Sequence, residues 1–122
     1  MKFHALICAR AGSKGIKNKN IRQFKKKPLI SYPIKLAKNI KRIESVSVST
    51  DSRKIANISK NYGADIPFIR SKRLSSNKAN EWDVWKDFVE KKNFKSKDDI
   101  IVILPATSPF RIKKDVEKCI TL

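Results

Sequence analysis

The sequence predicts an α/β fold, a mostly parallel sheet covered by helices. Three observations carry that expectation. Apolar runs suited to strands alternate with segments of helical periodicity along the whole chain. The run at 100–104, IIVIL, is β-branched and apolar on both faces, as a central strand of a parallel sheet should be. The length of 122 residues lies near the modal domain size, and 40% hydrophobic residues can form a core without disulfides. The order βαβαβαβα then implies right-handed crossovers within a single domain, residues 1–122.

Residues 3–8 (FHALIC) form a short apolar run suited to a buried strand. Ile30, Ile34, Ala37 and Ile40 follow at spacings of four, three and three, which puts them on one helical face. Residues 45–50 (SVSVST) alternate valine with small polar residues, the period of a strand. Ile55, Ile58 and Tyr62 repeat the helical spacing, and Gly63 signals the turn into a third strand at 66–69 (IPFI). A third helix begins at Asn80, an N-cap with Asp83 three positions on, and presents Trp82, Trp85, Phe88 and Val89 to the core. After the strand at 100–104, a fourth helix follows Pro109 with Val116, Cys119 and Ile120 on one side.

Charge and composition exclude several classes. With 29 Lys+Arg against 11 Asp+Glu the net charge is +18, which fits either a nucleic-acid footprint or a lysine-rich surface. The lysines are spread over the chain, and the run Lys25, Lys26, Lys27 has no aromatics interleaved for base stacking, so solvated surface is the preferred reading. No apolar run approaches the roughly 20 residues that cross a bilayer, and the short apolar N-terminus gives way to a basic loop. A cytoplasmic protein that binds neither nucleic acid nor membrane is expected. Cys8 and Cys119 lie far apart in no metal-binding pattern and read as packed, reduced thiols.

In open α/β sheets ligands bind beyond the carboxyl ends of the strands. After Cys8 the chain reads ARAGSKGIKNKN. Gly12 and Gly15 permit backbone N–H groups to turn inward, Ser13 adds a hydroxyl, and Arg10 and Lys14 bring positive charge to the same space, which suits a polyphosphate. The loop is neither a Walker sequence nor a three-glycine dinucleotide fingerprint, which removes the main support for an ATPase or NAD enzyme. Taken alone, its composition fits an ordinary turn equally well.

ARAGSKGIKNKNIRQFKKKPLISYPI, VSTDSRKIANISKNYGADIPFIRSKRL and LPATSPFR occur in one order and cover nearly the whole chain. That ordered set resembles the sugar-acid cytidylyltransferases of the acylneuraminate (CMP-sialic acid synthetase) group. The resemblance implies a three-layer, Rossmann-like nucleotide-diphospho-sugar transferase fold. It also implies an enzyme that joins CTP to an acidic nine-carbon sugar, such as sialic, legionaminic or pseudaminic acid, releasing pyrophosphate. Carried over by motif, Arg10 and Lys14 match the catalytic loop cations that hold and polarise the triphosphate. Ser13 matches the loop serine, Asn20 the nucleotide-binding asparagine of the KN pair, Arg70 the arginine near cytosine and ribose, and Ala79 the alanine whose backbone helps read the base.

Asn77, Lys78, Asn80 and Glu81 depart from the family's pattern, and Pro105 stands where a glutamine is common. The resemblance implies Mg²⁺, whose carboxylate ligands lie in the family beyond residue 122, together with much of the sugar site and a homodimer contact. The expected reading is therefore the nucleotide-binding part of such an enzyme, truncated and lacking its C-terminal portion, with a nucleotide- or polyanion-binding module without turnover as the alternative. Elsewhere, Asp51 reads as a helix cap rather than a metal ligand, and Thr107, Ser108 and Pro109 as loop-shaping residues. Arg111 fits a phosphate contact or an exposed turn equally. His4 reads as packed in the first strand, with no Ser/His/Asp set to recruit it.

Overall fold

The computed structural model of the chain describes residues 2–9, 23–69, 81–92, 94, 98–105 and 116–118. In chain order the elements are β1 (Lys2–Cys8), β2 (Gln23–Phe24), β3 (Lys27–Pro28), α1 (Ser31–Lys38), β4 (Ile43–Ser49), α2 (Arg53–Asn61), α3 (Glu81–Lys92) and β5 (Asp99–Pro105). Residues 116–118 are also helical. The main sheet has the order β4-β1-β5 and both pairings are parallel. This confirms the expected α/β architecture, with β1 at the centre.

Alternation along the strands separates the two faces of the sheet. Phe3, Ala5 and Ile7 of β1 join Val46 and Val48 of β4 and Leu104 of β5 in one core, completed by Ile30, Ile34, Ala37 and Ile40 around α1, Ile55 of α2, and Val116. The spacing read from the sequence thus marks the buried stripe of the first helix. The opposite face carries His4, and its ring meets Phe94 at 4.7 Å, which in turn meets Phe88 of α3 at 6.0 Å. Helices therefore cover both faces, α1 and α2 on one and α3 on the other.

His4 ties all three strands together. Its Nδ1 lies 2.8 Å from the Ser45 hydroxyl of β4 and its Nε2 lies 2.9 Å from Asp99 Oδ1 of β5. An ionised Asp99 only accepts, which places a proton on Nε2; in the neutral ring the Ser45 hydroxyl then donates to Nδ1. His4 is packed, as expected, but the sequence reading missed its Ser/His/Asp set, in which Ser45 and Asp99 lie 41 and 95 residues from His4 in the chain. The set sits at the amino ends of the strands, away from the ligand-binding edge of such sheets, and it ties strands rather than activating a nucleophile.

Three further expectations are corrected. Residues 66–69 do not form a strand: isolated parallel bridges at Ser47↔Asp65 and Thr50↔Ile69 flank Pro67, which has no N–H to donate to a ladder. Strand β5 is parallel to β1 as expected, and it ends the sheet among the described residues. On α3, Trp82 is 68% exposed and Val89 is also exposed, whereas Val84 and Phe88 are buried; the core stripe is shifted in phase, and Trp85 is half-buried with its ring edge-on to Trp82. The helix cap at Asp51 belongs instead to Ser52, whose side chain accepts from the Ile55 N–H at 3.2 Å.

The turn expected at Gly63 is a complete C-terminal cap. Gly63 (φ +97°) donates to Lys60 O at 2.9 Å, and Ala64 donates to Ser59 O at 3.1 Å, which ends α2 and aims the chain back along β4. Between β2 and β3 the tight turn is made by Lys25 and Lys26, both with positive φ (50° and 69°), a conformation that side chains with a Cβ adopt at a cost. The neighbouring Lys27 holds the Lys35 ammonium below the usual lysine range, chiefly through a side-chain hydrogen bond, with smaller contributions from desolvation and like-charge repulsion.

Two substitutions test these readings by urea denaturation. Lys26→Gly relieves the left-handed strain and is expected to stabilise the chain by about 1 kcal/mol, and a lower unfolding midpoint would contradict the assignment. His4→Leu removes the imidazole partner of the buried Asp99 carboxylate and is expected to cost about 2–3 kcal/mol, whereas an unchanged midpoint would show that the bridge does not tie the strands.

Candidate functional site

Strand register sets the geometry of the carboxyl edge. Cys8 of β1 pairs with Ser49 of β4 and with Pro105 of β5, so the three strands end level. The Ala9 N–H, bonded to Ser49 O at 2.9 Å, extends the β1–β4 ladder one step before the glycine-containing segment departs. Loops after three parallel strands thus start from one line, the usual location of a ligand site in this architecture.

The next turn is built from hydroxyls. Thr50 is fully buried, and its Oγ1 accepts the Ser52 N–H at 3.1 Å; Ser52 in turn caps α2. The amino end of α2, with its partial positive charge, is therefore held at the same edge. The bridge Thr50↔Ile69 also brings residue 69 alongside the end of β4, so the chain enters the segment from residue 70 at this edge. Ser47 and Ser49, on the face shared with Leu6 and Cys8, are buried with hydroxyls that have no hydrogen-bond partner among the described residues. Cys8 is a half-buried thiol at the end of β1.

The residues assigned from sequence motifs, Arg10, Ser13, Lys14, Asn20, Arg70 and Ala79, lie outside the described residues, as do Asn77, Lys78, Asn80, Thr107, Ser108, Pro109, Arg111 and Cys119. The structure describes what anchors their segments: Ala9 before the first, Ile69 before the second, and Pro105 before the third, all on one edge. Sequence reasoning missed Thr50 and Ser52 as its organisers, although the run VSTDS contains both and two hydroxyls ahead of a helix are a capping signal.

No group of three or more His, Cys, Asp or Glu able to hold a metal occurs among the described residues. Asp51, half-buried beside Thr50, is a carboxylate near this edge; Mg²⁺ in nucleotide enzymes is held by one or two carboxylates together with substrate phosphates and water. The described residues therefore form no metal site by themselves. An open groove of about 590 Å³, lined by Lys60, Gly63, Asp65, Pro67 and Lys92 among others, runs beside β4 and not at the carboxyl edge. Among the described residues no helix is long and apolar enough to cross a membrane.

Residues 4–121 match a family model described as cytidylyltransferase. The chain is 40% identical over 114 residues to post-translational flagellin modification protein B of Campylobacter coli, covering 92% of this chain and 48% of that protein. It is 35% identical over 125 aligned positions to the CMP-N,N'-diacetyllegionaminic acid synthase of Legionella pneumophila, covering 100% of this chain and 53% of the relative. In fold it is similar to CMP:2-keto-3-deoxy-manno-octonic acid synthetase solved in complex with CTP, with a TM-score of 0.82 and 21% identity over 99% of this chain and 46% of that one. The chain thus spans about half the length of these relatives.

Removing the Ser52 hydroxyl should loosen the start of α2 at this edge. Ser52→Ala is expected to lower stability by about 1 kcal/mol and to speed amide exchange at Ile55; unchanged exchange at Ile55 would remove Ser52 from the site's framework.

Proposed function

The chain belongs to the cytidylyltransferase family, and from that premise we propose that it binds CTP at the level carboxyl edge of β1, β4 and β5. We further propose that, in a protein of its relatives' length, it supports transfer of CMP to an acidic nine-carbon sugar. The observation that carries this reading is the alignment of Cys8, Ser49 and Pro105. It starts the segment with Arg10, Ser13, Lys14 and Asn20 from the same line as the segments that contain Arg70, Ala79 and the TSPFR run. The names of relatives that act on legionaminic and pseudaminic acids support a sugar of that class.

In the proposed reaction the anomeric hydroxyl of the sugar attacks the α-phosphorus of CTP. The new sugar O–P bond forms as the α–β phosphoanhydride bond breaks, the hydroxyl proton is lost, and pyrophosphate leaves. Such chemistry depends on positioning and on stabilising charge that develops on the leaving group. Arg10 and Lys14 supply two cations for the β- and γ-phosphates. Asn20 and Arg70 contact the nucleoside, and the Ala79 backbone offers partners for the exocyclic amine and carbonyl of cytosine. Magnesium dependence, expected of the family, would enter with the triphosphate. A cytoplasmic location, where CTP is made, accords with this reading.

Calorimetric titration of the 122-residue chain tests the proposal. CTP is expected to bind at least about tenfold more tightly than ATP, GTP or UTP, and Arg10→Ala and Lys14→Ala each to weaken CTP by about tenfold, ~1.4 kcal/mol. Equal affinities for the four nucleotides with the same salt dependence would favour a general polyanion-binding module carried by the +18 charge. Unchanged affinity in both variants would overturn the role of the loop.

A further inference from the structure

The surface formed by the β2–β3 hairpin and α1 is cationic. Residues 1–43 contain no aspartate or glutamate, and Lys25, Lys26, Lys27, Lys35 and Lys38 are all exposed. Lys38 is engaged, its ammonium donating to Gly63 O at 3.1 Å at the end of α2. Lys27 and Lys35 instead meet each other through a side-chain hydrogen bond, although each is a cation when protonated. The Lys35 Nζ also lies 5.5 Å from the centroid of the Tyr62 ring. Neither lysine has a carboxylate partner among the described residues.

Two costs converge at this place. Two ammonium groups in contact repel, and the turn that leads into Lys27 is made by Lys25 and Lys26 with positive φ, where glycine would be relaxed. The backbone beneath the pair is fixed. Ser31 Oγ donates to Pro28 O at 2.7 Å, which ties the start of α1 to the residue after Lys27, and the pairing of Phe24 with Lys27 closes the hairpin. Strained backbone held in place by its surroundings is a feature of ligand sites, and here it coincides with a pair of cations that lacks a counter-charge.

We propose that Lys27 of β3 and Lys35 of α1 form a binding site for a phosphate group, which takes the place between their two ammonium groups beside Tyr62. A phosphate oxygen accepts from each ammonium, so two charge-assisted hydrogen bonds replace one contact between like charges. The chemistry of the pair selects this ligand. Lysine presents three rotatable donors around a point charge, which suits a tetrahedral oxyanion, whereas the planar fork that matches a carboxylate would require arginine. A second negative charge on the ligand balances the second cation, which favours phosphate over a singly charged anion. The site uses none of the residues assigned to CTP and does not rest on that assignment.

Titration of the 122-residue chain with inorganic phosphate at low salt, followed by amide chemical shifts, tests the site. Saturable shifts are expected at Lys27, Lys35 and Tyr62, and Lys27→Gln and Lys35→Gln are each expected to raise the midpoint about tenfold. Lys41→Gln, at an exposed lysine in the turn after α1, is expected to leave it unchanged. An equal loss in Lys41→Gln would assign the binding to overall charge and overturn the proposal, as would shifts confined to residues 10–20 or no shifts at all. Vesicles of phosphatidylcholine with and without phosphatidic acid separate two sources of the group. Co-sedimentation that requires phosphatidic acid and is lost in Lys35→Gln would place the phosphate on a lipid, and saturable binding of free phosphate without co-sedimentation identifies the soluble ion.

Discussion

The structure depends on the parallel register of β1 with its two neighbours. One residue of slip in either pairing would turn Phe3, Ala5 and Ile7 away from α1 and α2 and would expose the core to the wrong face. The same register ends Cys8, Ser49 and Pro105 at one level, so core packing and the geometry of the carboxyl edge are consequences of a single constraint. His4 reinforces it from the other end. By bonding to Ser45 and Asp99 at once, its ring fixes β4 and β5 to β1 through directional contacts that hydrophobic packing alone does not supply.

The two ends of the sheet therefore have separate tasks. At the amino ends a buried polar bridge and the Phe94–Phe88 contact anchor the strands beneath α3. At the carboxyl ends the hydroxyls of Thr50 and Ser52 organise the start of α2, and the segments with the family's basic and glycine residues depart. A rigid edge carrying variable segments is how α/β proteins combine a stable scaffold with ligand recognition. The relatives are about twice the length of the chain.

Where the fold was legible, local pattern and tertiary demand agreed. Ile30, Ile34, Ala37 and Ile40 are spaced for one helical face and are buried on one face; the alternation of 45–50 is a strand with valines in the core. Where the reading failed, a different principle intervened. In IPFI the missing N–H of Pro67 reduces a strand to two bridges. In the third helix apolar residues occur on more than one face, so periodicity could not choose between Trp82 and Val84. A turn of two lysines with positive φ carries no glycine or asparagine to announce it. The basic loop and the TSPFR run identified the family, while the hydroxyls that frame the site passed as ordinary strand-end residues.

Order, periodicity and motif are properties of the chain read in one dimension, and they determined the α/β class, the buried stripes of the first two helices and the cytidylyltransferase family. The position of β5 is of another kind. The run IIVIL has the composition of an interior strand, but whether it lies inside or at an edge depends on which strands pair with it. The Ser45–His4–Asp99 bridge and the level ends at Cys8, Ser49 and Pro105 likewise join residues 40 or more positions apart. Such contacts arise from pairing and register, which only the folded chain decides because hydrogen bonding across a sheet leaves no local trace in sequence.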